Sequence, residues 1–544
     1  MITLIQPLIV NWIIQLILEV VFDIIATMKT ITNKLPNDVE KLKILLLSER
    51  QTSQEKIKQL EETNQYLLEQ FRLAQHNRFG KSSEANLDQC ELFNEAEQLI
   101  DETVLSEKSQ DKETTSNTRN QPKRKPLPKD LPRETVIVDL TDKGKICDCC
   151  GSDLHKMSEK KSEKLKFIPA QIKVIETIRP QYSCRHCEKK ATKVQIKIAP
   201  VPTSPIPKSI ATPSLLSQII TSKYQYSLPL YRQETMFKQH GIELNRKTMS
   251  EWMIKCSTLF KPITEQLHQH LLKQPVVQAD ETTLKVIQED KAKCFMWVYC
   301  TGLDSPTENQ NNIKNIVLYD YHASRAGRCA VDYLKGFNGY LQADGYKGYE
   351  QVDAELIGCM AHARRKFVEA KSVQPKNKMG RADIAIKEIA RLYTIEKQIK
   401  ALSANEKYSI RQEKSLPLLN DFKKWLDKTI LQVLPKSAIG KAIQYSLNQW
   451  VKLSGYIKSG DINIDNNRAE RAIKPFVIGR KNWMFCNTAS GANASAVLYS
   501  LIESAKANGL TPFNYLTFLL EELPKQPDDF EYLMPWNVEL EDTI

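Results

Sequence analysis

The amino-acid sequence predicts a multidomain α+β protein, and three observations predict it. The chain has 544 residues, several times the roughly 100 to 200 residues of one domain, so about three or four folded units are expected. A heptad-spaced helical stretch and two Cys-x-x-Cys pairs precede residue 200 and are separated by a polar, proline-spaced segment. After residue 270 come three strand-like stretches, a helix and a fourth strand, an order that suits a mixed sheet with helical cover.

The first element is an apolar extension over residues 1–35. Residues 1–18 carry no charge and the first Lys is Lys29, so the positive region of a signal peptide is missing. The stretch is nearly long enough to span a bilayer, yet Asn11, Gln15, Glu19 and Asp23 recur every four positions, as a polar stripe on a helix does. An amphipathic extra helix, or an upstream start with the functional chain beginning near Met28, is expected in preference to a membrane span. Residues 36–100 form the next region. Within it Ile57, Leu60, Asn64, Leu67, Phe71 and Ala74 alternate in steps of three and four, which is a coiled-coil seam with an amide inside it to set register. A dimer or larger homo-oligomer follows from that seam. The alternative is an amphipathic helix packed on its own domain.

Residues 101–135 are rich in Lys, Glu, Ser, Thr, Asn and Pro and end in the basic run Lys123–Arg133, so they read as a linker with too little apolar area to fold. Residues 136–200 hold Cys147 and Cys150, then Cys184 and Cys187. Two such knuckles supply the four thiolates of a tetrahedral structural Zn²⁺ site, which stands in for a core too small to hold itself. Cys149 is a competing ligand. The other eight cysteines are scattered, which argues against a secreted disulfide scaffold and for a reducing, cytoplasmic setting. Residues 201–270 are helical, with Tyr231–His240, Gly241 and Asn245–Met253 spaced as a helix, turn and second helix. Arg246 and Lys247 near the start of the second could serve DNA, though packed helices leading into the next domain account for the pattern equally. The 77 Lys and Arg against 65 Asp and Glu leave a formal charge of +12, which favours a polyanionic partner.

Residues 271–490 carry the chemistry. Val276–Ile287, Phe295–Cys300 and Ile316–Tyr321 read as strands, Ala326–Leu334 as a helix and Gly339–Asp344 as a further strand. Asp280 and Asp344 are thereby placed on strands that a mixed sheet can make neighbours. Glu281 points to the opposite face from Asp280. A third acid, Glu470, lies in IDNNRAERAIKPFVIGRKNWMF (Ile464–Phe485), on one helix face with Asn466 and Asn467; Pro475 is expected to end that helix. Around it stand Arg468, Arg471, Lys474, Arg480 and Lys481, the setting in which a metal ligand meets a phosphate backbone. Three carboxylates from separate elements can hold two Mg²⁺ or Mn²⁺ ions for phosphodiester cleavage. Arg364 and Arg365, with His362, are further candidates for DNA contact. Trp297 and Trp483 read as packing residues. A helical insertion is expected over about 371–455, and a helical segment over 491–544.

Eight stretches in order resemble the insertion sequence 66 family of transposases from about residue 36 onward. They are RFGKSSE (78–84), KPLPKDLPRE (125–134), the two CxxC pairs, LPLYRQ (228–233), QADETTLKV (278–286), LQADGYKGY (341–349), GCMAHARRKF (358–367) and the stretch through Glu470. The resemblance implies a leucine-zipper-like N-terminus, a zinc-binding module and a ribonuclease H-like nuclease domain with an Asp, Asp, Glu triad, here Asp280, Asp344 and Glu470. It implies double-stranded DNA as partner, both the element's terminal repeats and the target, with accessory proteins of the same element and no membrane. The extension before Met28 departs from the family pattern. A DNA-binding regulator without catalysis, or a nuclease of the same fold without strand transfer, is the alternative.

Overall fold

The computed structural model describes residues 39–79, 172–182, 197–291, 293–303, 313–374 and 379–540. The expected apolar extension, the linker and all four zinc-candidate cysteines lie outside these residues. The chain divides into two compact units, Met1–Glu107 with Thr203–Ile544, and Lys108–Pro202. In the smaller unit β1 (Gln181–Tyr182) and β2 (Lys197–Ile198) pair antiparallel, and Arg179 donates to the Ala199 carbonyl at 2.9 Å.

The larger unit begins with α1 (Val39–Phe79). It is one continuous helix, longer at both ends than the heptad stretch. Ile57, Leu60, Leu67 and Phe71 along the seam are all more than half exposed. Its other face is tied down near the C-terminal end, where Arg72 donates to the Val373 carbonyl and Glu69 accepts from Ala438 N–H.

Four helices follow: α2 (Pro213–Tyr224), α3 (Leu230–Gln239), α4 (Arg246–Leu259) and α5 (Lys261–Leu272). Gly241, with φ +76°, makes the turn between α3 and α4, and the Asn245 side chain caps α4 by accepting from Thr248 N–H. The sheet is built from β3 (Val276–Leu284), β4 (Cys294–Thr301), β5 (Ile316–His322), β6 (Tyr340–Gln342) and β7 (Glu355–Ile357), with α6 (Gly327–Tyr333) crossing between β5 and β6. The strand order is β5-β4-β3-β6-β7. The first three strands are mutually antiparallel, and β6 and β7 run parallel to β3. Strand β4 is buried on both faces, with Met296, Trp297, Val298, Tyr299 and Cys300 fully covered, as its unbroken apolar sequence requires.

Helices α7 (Met360–Ser372), α8 (Arg381–Ile399), α9 (Ala404–Ile410), α10 (Leu416–Ile430), α11 (Ala438–Asn448) and α12 (Trp450–Ser454) come next. They close around a core of their own, including Phe367, Ile389, Leu426 and Ile443. The chain then returns to the sheet through α13 (Asn467–Trp483) and ends in α14 (Ala489–Ala507) and α15 (Pro512–Glu522). Ile462 and Ile464 belong to the helical core, whereas Ala469, Ala472 and Phe476 belong to the sheet core. The chain crosses from one core to the other within about one helical turn.

Helix α14 covers the free edge of β5. Ser500 and Ser504 accept from the N–H groups of Tyr319 and Val317 at 2.8 and 3.0 Å, so hydroxyls replace the missing neighbouring strand. The small Ala and Ser residues on this helix permit the close approach.

Helix α13 corrects an expectation, since it runs through Pro475 instead of stopping there. A proline inside a helix costs about 3 kcal/mol, and tertiary contacts offset it. Phe476 is fully buried and packs against Tyr319, Trp483 and Tyr499. The Tyr319 hydroxyl donates to the Ala472 carbonyl, next to the carbonyl that Pro475 leaves without its helical donor.

Candidate active site

The tripeptide Gln-Ala-Asp occurs twice, at 278–280 in β3 and at 342–344 where β6 ends. Because Gln278 pairs with Gln342 in the parallel register, Asp280 and Asp344 stand two residues beyond the same point on adjacent strands. Alternation puts each Asp on the face of its Gln. The two glutamines meet there, with the Gln278 amide donating to Gln342 Oε1 at 2.8 Å.

These buried amides also fix the third acid. Gln342 donates to the Asn463 carbonyl at 2.7 Å, Gln278 accepts from Ala469 N–H at 3.4 Å, and the Asn466 amide donates to the Ala279 carbonyl at 2.9 Å. The start of α13 is thereby stitched to the first half of β3 and the C-terminal end of β6, and Glu470 in its first turn is 4% exposed. A buried amide left without such partners costs about 1 to 3 kcal/mol, so the stitching is itself a reason for this geometry.

Burial pushes the Asp280 carboxyl well above the ordinary carboxylate range, and the negative charges of Glu281, Glu470 and Asp344 push it further. Burial likewise raises Glu470 to about 7 against the pull of Arg365, with Asp465 and Asp344 adding to the rise. Asp344 thus acts on both Asp280 and Glu470, and Glu470 on Asp280, which places the three carboxyls within one field. Glu281 faces elsewhere, as expected from alternation, with its carboxylate held by Arg325 Nε at 2.8 Å and the Tyr349 hydroxyl at 2.6 Å.

Helix α7 supplies the facing side chains. Arg365 reaches Glu470 Oε2 at 2.5 Å and donates to His362 Nε2 at 3.1 Å. A guanidinium only donates, so Nε2 is the acceptor and the proton sits on Nδ1, 3.4 Å from Glu470 Oε1. Burial, aided by Arg365, holds the imidazole down at about 4, hence neutral at pH 7. Cys359 is also close, its sulfur, a His362 nitrogen and a Glu470 oxygen lying within 4.8 Å of one another. Its thiol is kept protonated by burial and accepts from Asn466 N–H at 3.2 Å, so it acts as a brace.

The expected basic contacts divide by position. Arg471 and Lys481 are exposed, while Lys474 and Arg480 are half-buried, the last donating to the Thr282 and Thr283 hydroxyls at 3.2 Å each. Arg365 faces Glu470. Arg364 and Arg468, expected at DNA, are each only 4% exposed. Arg468 donates to the Thr301 carbonyl at 3.1 Å, and Arg364 lies near Tyr393. Both are interior groups in this fold, because their helix faces are the packed ones. Residues not singled out from sequence are Gln278, Gln342 and Tyr349, although the repeated Gln-Ala-Asp was a signal for the first two.

Comparison with known proteins places the chain among transposases. A family profile described as "Transposase IS66 family" matches residues 208–494. Profiles described as "zinc-finger binding domain of transposase IS66", "Transposase C of IS166 homeodomain" and "IS66 C-terminal element" match residues 145–188, 66–136 and 500–536. The first of these three spans Cys147, Cys150, Cys184 and Cys187. "Uncharacterized protein y4jD" of Sinorhizobium fredii (strain NBRC 101917 / NGR234) is 34% identical over 76% of this chain and 81% of its own length. "Uncharacterized protein y4hP" of the same organism is 33% identical over 77% and 78%.

Proposed function

Since the chain belongs to the Transposase IS66 family, we propose that it binds the ends of its own mobile element and catalyses metal-dependent strand cleavage and strand transfer, using Asp280, Asp344 and Glu470. The sheet order β5-β4-β3-β6-β7, antiparallel on one side of β3 and parallel on the other, supports a ribonuclease H-like domain. The observation that carries the site is the paired register of the two Gln-Ala-Asp tripeptides, with the start of α13, which bears Glu470, hydrogen-bonded to Gln278 and Ala279.

The acids suit divalent cations. They are hard oxygen donors, their repulsion calls for positive charge, and Glu470 Oε1 is buried without a formed hydrogen bond, its nearest donor being His362 Nδ1 at 3.4 Å. Asp280 and Asp344 would share two Mg²⁺ or Mn²⁺ ions, and Glu470 would complete the set. When bound, such ions generate the nucleophilic oxygen and stabilise the leaving one. The residues do the rest. Arg365 and neutral His362 orient the Glu470 carboxyl, Glu281 is kept out by Arg325 and Tyr349, and Arg471, Lys474, Arg480 and Lys481 hold phosphates along α13. Cys147, Cys150, Cys184 and Cys187 would hold structural Zn²⁺. The exposed seam of α1 supports pairing with a second copy, so that two element ends are held together.

The test is cleavage and joining of a labelled duplex carrying the element's ends, in Mg²⁺ or Mn²⁺, with the neighbouring gene products of the element added. Metal-dependent joined product is expected from the native chain and none from Asp344→Asn, with equal DNA binding by both. Joined product from the variant would remove Asp344 from the site. Binding without product from either, under any divalent ion, would favour a DNA-binding regulator.

A further inference from the structure

Helix α13 does not end on a glycine. Its last turn closes at Met484, with φ +65°, a left-handed conformation in which Cβ crowds the following carbonyl. The strained residue cannot relax, because the chain is held on both sides. Met484 N–H donates to the Arg480 carbonyl at 2.6 Å, and two residues later Cys486 N–H donates to the Lys285 carbonyl at 3.0 Å. The Cys486 carbonyl in turn accepts from Ile287 N–H at 3.0 Å. The result is a rigid, apolar tip, with Met484 69% and Phe485 45% exposed.

Beside this tip lies a groove of about 370 Å³ lined by Thr283, Lys285, Lys293, Arg480, Lys481 and Met484. Lys285, Lys293 and Lys481 are exposed, and the Thr282 and Thr283 hydroxyls fix the Arg480 guanidinium. Four cations drawn from a hairpin and a helix end thus surround one protruding hydrophobe. An acidic protein would satisfy the cations but gives no reason for a strained apolar point among them. Double-stranded DNA satisfies both, with phosphates outside and stacked bases within reach.

We propose that duplex DNA flanking the cleavage point lies with its backbone in this groove, and that Met484, backed by Phe485, inserts between base pairs and unstacks them, as apolar wedges of architectural proteins do. This rests on the reading that Asp280, Asp344 and Glu470 cut DNA. Met484 is fourteen residues beyond Glu470, at the end of the same helix, about 21 Å at 1.5 Å per residue. At about 3.4 Å per base pair, the distortion falls roughly six base pairs from the scissile phosphate.

The experiment uses the full chain and a duplex carrying the element's end, with 2-aminopurine at successive positions, in Ca²⁺. A severalfold rise in fluorescence is expected at one position near that distance and is lost in Met484→Gly. That variant also relieves the backbone strain, so its melting temperature, measured alongside, should not fall. The triple variant Lys285→Gln, Lys293→Gln, Lys481→Gln should lower the slope of log affinity against log salt by about three. No rise at any position with DNA bound, or a rise that survives Met484→Gly, overturns the wedge; an unchanged salt slope overturns the groove. Unstacking by a chain that yields no product in Mg²⁺ would keep the wedge and remove the catalytic reading, so the two fail separately.

Discussion

Glu470→Gln in the metal-free protein should make the chain more stable at high pH, although it deletes a carboxylate that touches an arginine. Burial lifts Glu470 from 4.5 to about 7. At about 1.4 kcal/mol per unit, the ionised form is disfavoured in the folded state by about 3 kcal/mol. A carboxyl whose folded pKa is raised contributes stability that is fully present below its unfolded pKa and is lost as pH rises from 4.5 to about 7. Glutamine keeps the neutral shape and does not titrate. The stability difference between variant and native chain should therefore widen by about 3 kcal/mol between roughly pH 4.5 and pH 8, measured by denaturant unfolding in a chelating buffer. Added Mg²⁺ should close the gap from the native side, because ion binding stabilises only the folded chain that has the site. A difference that stays constant across this range, or a variant less stable throughout, would refute the account of Glu470 as a buried acid held ready for a cation.

Arg365→Gln removes the cation that restrains Glu470, so the pH for half-maximal Mg²⁺-dependent cleavage should rise by about one unit or more; a pH profile that does not move counts against the pair at 2.5 Å. Tyr319→Phe removes the hydroxyl that donates to the Ala472 carbonyl beside Pro475 and should cost about 0.5 to 1.5 kcal/mol of unfolding free energy, whereas a neutral result would mean that this bond does not help offset the proline. Leu60→Asp with Leu67→Asp on the exposed seam of α1 should convert the sedimenting species from an oligomer to a monomer. A native chain already monomeric at the same concentration would show that the seam has no second copy on it.

Much of the sheet was legible because β3, β4 and β5 are runs of apolar and β-branched residues between turn signals, and their observed limits fall within a few residues of those expected. Strand β7 was not, since Glu355-Leu356-Ile357 is too short to show a period. Proline chemistry alone misplaced the end of α13, because the packing of Phe476 is invisible in local propensity. Arg468 was misjudged by counting charges. It shares the spacing of Ala472, Phe476 and Gly479, all buried, and that periodicity marks it as interior. The candidate acids could be named, whereas the amide stitching that brings Glu470 over Asp280 and Asp344 depends on tertiary contacts between residues nearly 200 positions apart.

The crossing between the two cores sets the order in which a newly made chain becomes competent. Glu470 leaves the ribosome 190 residues after Asp280, which at about 5 to 20 residues per second is a delay of roughly 10 to 40 s. Its place is settled only when the helical core around Ile462 and Ile464 and the sheet core around Ala469 and Phe476 have both formed. The β5 edge also waits for α14, which is translated later still. A truncated or half-folded product would present the first two acids without the third. On the proposed function, strand cleavage would thereby wait until nearly the whole length has been made and folded.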